Sequence, residues 1–581
     1  MKLSPTLCAT AAALALLAPR IADACGGLFC DAGPMTTPVD QTGENILFVM
    51  NGAQVEAHIQ IQYDPDTDAD QFAWVIPLQA LPAFSVGSDP LITNLLAGTV
   101  PSYQLLNTFD DCGDQGFPTT TDPSTGGFGT DGSPGDSGTG GEPGPEVILQ
   151  TTVGAFDIVV LQGEDTPGLM QWLGDNGYQQ DPDAAPIFDE YLKEGYLFAA
   201  FKLTNGAGVD QIHPIVLTFD TGEACVPLRL TRIAAKEDME VRTFFLGEAR
   251  VAPRNYRHVI VNPLKIDWLN LQGVAANYKE VITQAVDALK SDGHGFVTEY
   301  AGASSVVGQG GLHDPSWQAA PFVGAQPTAV VDTLEAQGIM ACFANMCEYY
   351  HPLVEGLLRE FLPVPDGLAA DDFYACLECY PDSIDPNAWD GQAFADAYQQ
   401  RVIDPGLHAV DLLNTWPYLT RMYTTISPGE MTVDPFFHEN PQLPDVSASR
   451  AAVRRNLCTG DAVVRIPDGR EVYVPQGEGW PAFVDELPYE EDIEETMQSG
   501  APVSLVDNTA LINSKLDEWN SAHNWPRDFN EGGTETDAAG GTGGLPEGGC
   551  GCRSAGPGGA LGLGLLLLTL GVRRRRRAPC A

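Results

Sequence analysis

The feature that most constrains this chain is an uncharged stretch near its C-terminus, from Ser554 to Val572, which ends against a block of arginines. These are Arg573, Arg574, Arg575, Arg576 and Arg577. The stretch is about long enough to cross the hydrocarbon core of a bilayer as a helix. Because arginines beside such a helix stay in the cytoplasm, we expect the rest of the chain to fold outside it, anchored at the cell surface.

Residues 1–24 carry the signals of export. Lys2 precedes an apolar run from Leu7 to Ala18, and small residues lie just before Cys25. A charged start, a short hydrophobic segment and a small-residue cleavage site define a secretory signal peptide. Cys25 then begins the exported chain. Two fates are open for its thiol, lipidation or a disulfide with the nearby Cys30.

The exported part is strongly acidic. Between Cys25 and Gly549 it has 77 acidic and 22 basic residues. Such a surface repels nucleic acid and anionic membrane surfaces, which both require a basic footprint, so we expect no nucleic-acid partner. The partners that we do expect are the membrane, through the C-terminal helix, the machinery that sorts or processes the tail, and an envelope or extracellular ligand that the sequence does not name.

The residue patterns of the sequence predict an α+β protein in two parts. Residues 25–331 carry strand patterns with attached helices, and residues 332–528 carry mainly helical patterns. Within the first part, residues 113–145 are almost wholly Gly, Pro, Ser, Thr and Asp, so we predict a disordered insertion that buries no core. We assign residues 529–549 to a Gly-rich stalk and residues 550–581 to the membrane and sorting tail.

Strand signals are clearest between Asn45 and Pro77. Polar and apolar residues alternate from Gln54 to Tyr63, which is typical of a strand with one buried face. The apolar run from Phe72 to Ile76 predicts the returning strand. We therefore expect a hairpin here.

The loop of this hairpin is a candidate calcium site, because carboxylates at alternate positions of a turn can converge on one hard cation. The loop has four of them, Asp64, Asp66, Asp68 and Asp70. The match to an EF-hand is incomplete, since Ala69 replaces the turning glycine and Val75 the bidentate glutamate. Calcium is one hypothesis for the loop, and a solvated hairpin tip is the other.

The cysteine spacing favours disulfides, which are the default use of cysteine outside the cytoplasm. The close pairs are Cys25 with Cys30, Cys342 with Cys347, and Cys376 with Cys379. The last four could instead bind zinc as thiolates, an alternative that an exported location disfavours. We expect two bridges to staple the start of the helical part.

The best cluster for acid–base or metal chemistry is His294, Glu299 and His313. Their spacing fits no helical zinc motif. A surface histidine beside a packing glutamate is the simpler interpretation of these residues. An extracellular hydrolase, with a site formed only by the fold, is the enzymatic alternative.

Four stretches carry a resemblance to a known family. They are Cys25-Gly-Gly-Leu-Phe-Cys30, Phe72-Ala-Trp-Val-Ile-Pro77, the block from Val153 through Trp172 to Gly195-Tyr-Leu-Phe-Ala-Ala, and Phe296-Val-Thr-Glu-Tyr-Ala-Gly302. Together they resemble the bacterial domain-of-unknown-function 2330 family. The resemblance implies an exported envelope protein, and it brings no established activity or catalytic residue.

The tail has a resemblance of its own. Cys550-Gly-Cys552, the apolar stretch and the arginine block are similar, in this order, to the MYXO-CTERM sorting signal of myxobacteria. That resemblance implies that the tail is cut and the protein passed to the cell surface, with a cysteine as the modified residue. Whether Cys550 or Cys552 is modified stays open. We thus expect a surface-anchored acidic protein that binds or structures the envelope without catalysis.

Overall fold

The computed structural model describes ten stretches of the chain. They are residues 41–62, 73–112, 145–163, 165–178, 184–204, 211–220, 222–233, 235–343, 346–385 and 389–526. The signal peptide, Cys25, Cys30, the aspartate loop, the predicted insertion up to residue 144, the stalk and the tail lie outside these stretches, so those predictions stay predictions. No helix within the stretches is long and apolar enough to span a bilayer.

The described strands, in chain order, are β1 (Gln41–Asn51), β2 (Gln54–Gln62), β3 (Ala73–Leu78), β4 (Ala83–Val86), β5 (Ser102–Phe109), β6 (Glu146–Val153), β7 (Phe156–Gln162), β8 (Leu197–Leu203), β9 (Ile215–Phe219), β10 (Ala235–Gly247), β11 (Val251–Pro253), β12 (Arg257–Val261), β13 (Gly295–Ala303), β14 (Met340–Phe343), β15 (Met346–Tyr349), β16 (Tyr418–Ile426), β17 (Phe437–Glu439), β18 (Ser449–Asn456), β19 (Ala462–Arg465), β20 (Glu471–Val474), β21 (Glu490–Glu495) and β22 (Val503–Asp507).

The described α-helices are α1 (Asp89–Thr99), α2 (Thr166–Asp175), α3 (Ala184–Lys193), α4 (Leu228–Thr231), α5 (Val274–Val286), α6 (Val330–Ala336), α7 (Leu353–Phe361), α8 (Ala370–Tyr374), α9 (Gly391–Tyr398), α10 (Asp404–Thr415) and α11 (Thr509–Ala522). A π-helical turn, Gln399–Ile403, joins α9 to α10. Pro405 explains this wide turn, because proline has no N–H to donate to the carbonyl of the preceding turn.

Ten strands form a central sheet in the order β22-β21-β12-β13-β16-β10-β1-β2-β9-β4. β1 lies between β10, to which it is parallel, and β2, to which it is antiparallel. The α+β class predicted from the sequence is therefore confirmed, with a β-rich N-terminal part.

The two predicted parts share this sheet. β16 and β21 come from the segment that we expected to be mainly helical, yet they pair with strands from the first part, and β22 extends the sheet by pairing with β21. The segment between Val330 and Thr415 is mainly helical and has a hydrophobic core of its own, and α11 is a further helix near the end of the second part. From Tyr418 onward the chain returns to the sheet, and residues up to Trp525 form one compact unit.

The central sheet has two differently covered faces. On one, which we call the apolar face, side chains such as Ile46 and Phe48 pack against a four-stranded antiparallel sheet, β3-β8-β7-β6. On the other, the helix face, Leu47 and Val49 pack against α1 and α10. Successive residues of a strand point to opposite faces, so β1 contributes to both cores.

The predicted hairpin is not formed. β2 pairs with β1 and β9 in the central sheet, whereas β3 pairs with β8 in the four-stranded sheet. The alternation in β2 was a correct strand signal, but it does not specify the partner strand. As a result, β2 and β3 face each other across the space between two sheets.

Three disulfides join described cysteines. Two are the local pairs favoured by the sequence, Cys342–Cys347 across the β14–β15 hairpin and Cys376–Cys379 after α8. The third, Cys112–Cys458, was not anticipated, because its cysteines are 346 residues apart. It lies where β5 and β18 end side by side as parallel neighbours.

Candidate functional site

Strand β2 contributes to two candidate sites, one on each face of the central sheet. Val55, Ala57 and Ile59 belong to the core on the apolar face. Between them, Glu56 and His58 point to the helix face, because side chains alternate along a strand. The same nine-residue strand therefore lines an apolar cleft on one side and holds a polar cluster on the other.

The apolar cleft lies between the two sheets. Its walls come from β1, β2, β9 and β3, and the centre of a water-sized sphere can occupy about 60 Å³ within it. The wall residues are Ile46, Phe48, Val55, Ala57, Ile59, Ile76, Pro77, Leu78, Leu217 and Phe219. A narrow, concave and mostly apolar site suits a slender apolar group and not a bulky ligand.

The shape of the cleft follows from the position of β3. This strand is at the edge of the four-stranded sheet, and it contains Pro77. Proline cannot donate a ladder hydrogen bond, so it is tolerated mainly in edge strands. β3 thus lies opposite β2 without pairing to it, which leaves room between the two strands.

The polar groups of the cleft are few and lie toward its rim. They include Gln79, Tyr196 and Glu223, and Glu223 forms an ion pair with Arg254. Cys225 is also part of the lining and is the one unpaired cysteine among the described residues. Burial raises the pKa of the Cys225 thiol well above its ordinary value, so at neutral pH it is a thiol and not a reactive thiolate.

The polar cluster on the helix face consists of Glu56, His58 and His408, which we call the His–Glu cluster. One carboxylate oxygen of Glu56, Oε1, lies 2.6 Å from Nε2 of His58 and 2.6 Å from Nε2 of His408. The two imidazole rings are nearly parallel, with centroids 5.8 Å apart. The three ligand atoms lie within 4.8 Å of one another, which no other group of three such residues achieves in the described stretches.

Burial differs among the three side chains. His58 is almost completely buried, Glu56 is mostly buried, and the His408 side chain is 41% exposed. Burial alone would raise the pKa of Glu56, but hydrogen bonds from His408 and His58 outweigh it and lower that pKa to about 2. The hydrogen bond to Glu56 in turn raises the pKa of His408. The carboxylate is therefore ionised throughout the physiological range.

The position of His408 depends on how closely α10 approaches a neighbouring loop. A Cβ atom at Gly406 would lie 2.0 Å from the carbonyl oxygen of Leu312. Only glycine permits this approach, because it has no side chain. Gly406 thus allows α10 to pack against the loop, which places His408 beside Glu56.

The residues predicted as a catalytic cluster have separate partners. His294 contacts the carbonyl of Asp292 and the hydroxyl of Thr432. His313 packs edge-on against Trp317. Since His294, Glu299 and His313 do not form a group of potential ligands in the described stretches, the simpler interpretation of them fits better.

Glu299 is a buried ion-pair residue. Its carboxylate accepts a hydrogen bond of 2.5 Å from Nε of Arg421, and both side chains are less than 5% exposed. Arg421 also donates to the carbonyl of Leu96 and the hydroxyl of Thr99 in α1. The pair therefore connects β13 and β16 to a helix, a structural role.

The sequence alone could bring together two of the three residues of the His–Glu cluster. Glu56 and His58 are two residues apart in a predicted strand, which places them on one face. His408 is 352 residues from Glu56, in another type of element. No local pattern connects such residues, so only the fold could reveal the cluster.

Comparison with known proteins places the chain in a class without a described activity. The matching family model, described as an uncharacterized protein conserved in bacteria, spans residues 19–310, about half of the chain. The chain belongs to this family, DUF2330, as its sequence motifs indicated. No curated protein and no solved structure matches it.

Proposed function

We propose that this protein is exported, anchored at the cell surface by its C-terminal tail, and binds an apolar ligand there without catalysis. The ligand class that fits best is the acyl chain of an envelope lipid or fatty acid. The observation that carries the proposal is the apolar cleft between the central and four-stranded sheets.

The lining of the cleft supports a slender apolar occupant. Its walls are aliphatic and aromatic side chains from both sheets, and its polar groups lie toward the rim. Burying apolar surface contributes about 25 cal/mol per Å², so an acyl chain gains affinity along its length. Arg254 pairs with Glu223 beside the rim and so compensates the carboxylate charge there.

Binding without reaction is supported by the chemistry of the same residues. The Cys225 thiol is protonated at neutral pH, because burial raises its pKa. Burial likewise raises the pKa of the Tyr196 phenol. Neither group is activated as a nucleophile or a general base.

The location outside the cytoplasm rests on the signal peptide and tail of the sequence. The disulfides add support, because such bridges persist in oxidising compartments. The large excess of acidic residues suits a soluble surface domain.

Ligand binding is tested with the purified full-length protein and a fluorescent fatty acid, parinaric acid. We expect saturable fluorescence that unlabelled fatty acid displaces. Cys225→Trp places a large side chain in the cleft and should weaken binding by more than about tenfold, since each excluded methylene is worth about 0.8 kcal/mol. Cys225→Ser keeps the space and is the matched control. Equal binding by all three proteins, or none by the wild type, would contradict the proposal.

Surface anchoring is tested by deleting Ala560 to Arg577, which removes the apolar stretch and the arginine block. We expect the truncated protein in the culture medium, because a stretch of this length and apolarity supplies the membrane anchor. Deleting residues 529–549 instead should leave the protein with the cells. A tail-deleted protein that still sediments with membranes would refute the anchor and favour lipidation at Cys25.

A further inference from the structure

We propose that the His–Glu cluster is a binding site for a divalent transition-metal ion, with Zn²⁺ as the expected occupant. The site is independent of the cleft, since it lies on the opposite face of β2. Its three side chains offer one ligand atom each, all within 4.8 Å of one another.

The backbone positions of two ligands are fixed by an interior strand. β2 is paired on both sides, so that Glu56 lies opposite Val49 and Thr218, and His58 lies opposite Leu47 and Val216. Ligands on a paired strand need little reordering to bind an ion, which lowers the entropic cost of binding. The Glu56 carboxylate and the His58 imidazole are two residues apart on one face of the strand, so both can reach the same ion.

The third ligand comes from a helix that is packed on the same face. His408 lies on α10, whose Ala409 and Leu412 are buried in the core shared with β1. Its imidazole is partly exposed, which gives an ion a route from solvent. A water molecule or an external ligand can complete the coordination from this side.

The chemistry of the donors selects the ion. Two imidazole nitrogens and one carboxylate oxygen form a donor set typical of zinc, and zinc is held at about 2.0–2.2 Å by such atoms. Calcium and magnesium prefer six or more oxygen ligands. The cluster is therefore specific for zinc-like ions, in contrast to the calcium hypothesis for the aspartate loop.

The short contacts of the cluster also fit an ion site. Both histidines direct Nε2 at the same carboxylate oxygen. An ion placed among the three atoms would replace two hydrogen bonds with three coordinate bonds. The other ring nitrogen of His58, Nδ1, has no hydrogen-bond partner among the described residues. Because such a partner normally strengthens a histidine ligand, we expect weaker binding than at a structural zinc site.

The test uses the full-length protein after removal of metals with a chelator. Zn²⁺ is titrated in competition with a chromophoric chelator, and Co²⁺ is added separately to record its visible spectrum. We expect one Zn²⁺ site per chain, weaker than a structural zinc site, and intense visible Co²⁺ bands from low coordination. His408→Ala should weaken that site by more than about 100-fold, which exceeds the loss from a missing outer-shell partner.

Matched variants separate this site from other candidates. His294→Ala removes a histidine outside the cluster, and Asp66→Ala alters the aspartate loop, so both should bind Zn²⁺ like the wild type. His408→Cys keeps a ligand at the position, and its Co²⁺ complex should gain a thiolate-to-metal charge-transfer band. This band reports coordination directly, which a purely structural role of His408 would not produce.

The outcomes that would overturn the proposal are equally direct. One is the absence of Zn²⁺ binding by the wild type under these conditions. Another is unchanged Zn²⁺ affinity in His408→Ala, which would assign the ion to a different site. A third is a Co²⁺ spectrum of His408→Cys without the charge-transfer band. In each case the Glu56–His408 contact is only an ion pair that joins α10 to β2.

Discussion

The two faces of the central sheet differ in the polarity of the side chains that they bury. The apolar face has a continuous core of aliphatic and aromatic side chains, in which Phe48, Phe245 and Phe437 are in ring contact. The helix face has an apolar core too, but polar side chains interrupt it at Glu56 and His58 and again at the Glu299–Arg421 pair. The strands are shared, so the difference depends on what covers each face.

The difference shows how the fold accommodates charge. A buried charge is tolerated only when a partner compensates its lost hydration. Helices supply such partners from side chains and free carbonyls, as α1 does for Arg421 through the Leu96 carbonyl. The four-stranded sheet offers mainly apolar side chains to the opposite face, and the apolar cleft lies between the two sheets.

The largest expected effect comes from breaking a pair on the helix face. Glu299→Gln leaves the buried guanidinium of Arg421 without its carboxylate. Because an uncompensated buried charge is costly, the free energy of unfolding should fall by about 3–5 kcal/mol in urea denaturation. The matched control is Glu355→Gln, which breaks an exposed pair with Arg359 and should cost less than about 0.5 kcal/mol.

Similar losses of stability in the two variants would contradict the prediction that a buried ion pair contributes more than an exposed one. The buried pair would then contribute no more than a surface pair, and the polar side chains of the helix face would need another explanation. The measurement is also informative about Glu299 itself. If the role of Glu299 is structural, Glu299→Gln should lose stability but bind ligand and metal like the wild type.

A smaller effect of opposite sign is expected at Asp89, a carboxyl of the helix face whose hydrogen-bond partner, Gln60, is neutral. Burial raises the pKa of Asp89 to about 6. The folded state therefore binds this proton more tightly than the unfolded state, so stability falls as pH rises from about 4 to about 6. Asp89→Asn should stabilise the protein by about 2 kcal/mol near pH 7.5 and have little effect near pH 4.

Urea denaturation at the two pH values checks this prediction. The control is Asp390→Asn, at the exposed N-cap of α9, where the side chain accepts hydrogen bonds from backbone N–H groups. It should change stability by less than about 1 kcal/mol at both pH values. A stability gain for Asp89→Asn that does not depend on pH would show that ionisation of Asp89 is not the cause.

Local patterns predicted what local interactions determine. The alternation in β2 specified a strand and the face of each residue, and the spacings of five and three residues favoured the two bridges that occur. The α+β class followed from the same kind of pattern. Each of these features depends on residues close together in the chain.

The rest depended on contacts that sequence spacing does not encode. β2 was assigned the wrong partner strand, because alternation specifies a face and not a neighbour. β16 could not be predicted as a strand of the central sheet, because it is buried on both faces and its sequence shows weak alternation. Glu299 was a candidate for catalysis because its ion-pair partner, Arg421, is 122 residues away and could not be identified from the sequence.

If the C-terminal tail tethers the protein as we propose, the Cys112–Cys458 bridge has a mechanical consequence. Tension on the tether enters the fold at α11 and can peel away β22, β21, β20 and β19 in turn. At Cys458 it meets a covalent link that transfers the load to Cys112, so the chain between the two cysteines is not stretched. The bridge thus stops the peeling at Cys458, before it reaches β9, β10 and α10, which lie between the two cysteines.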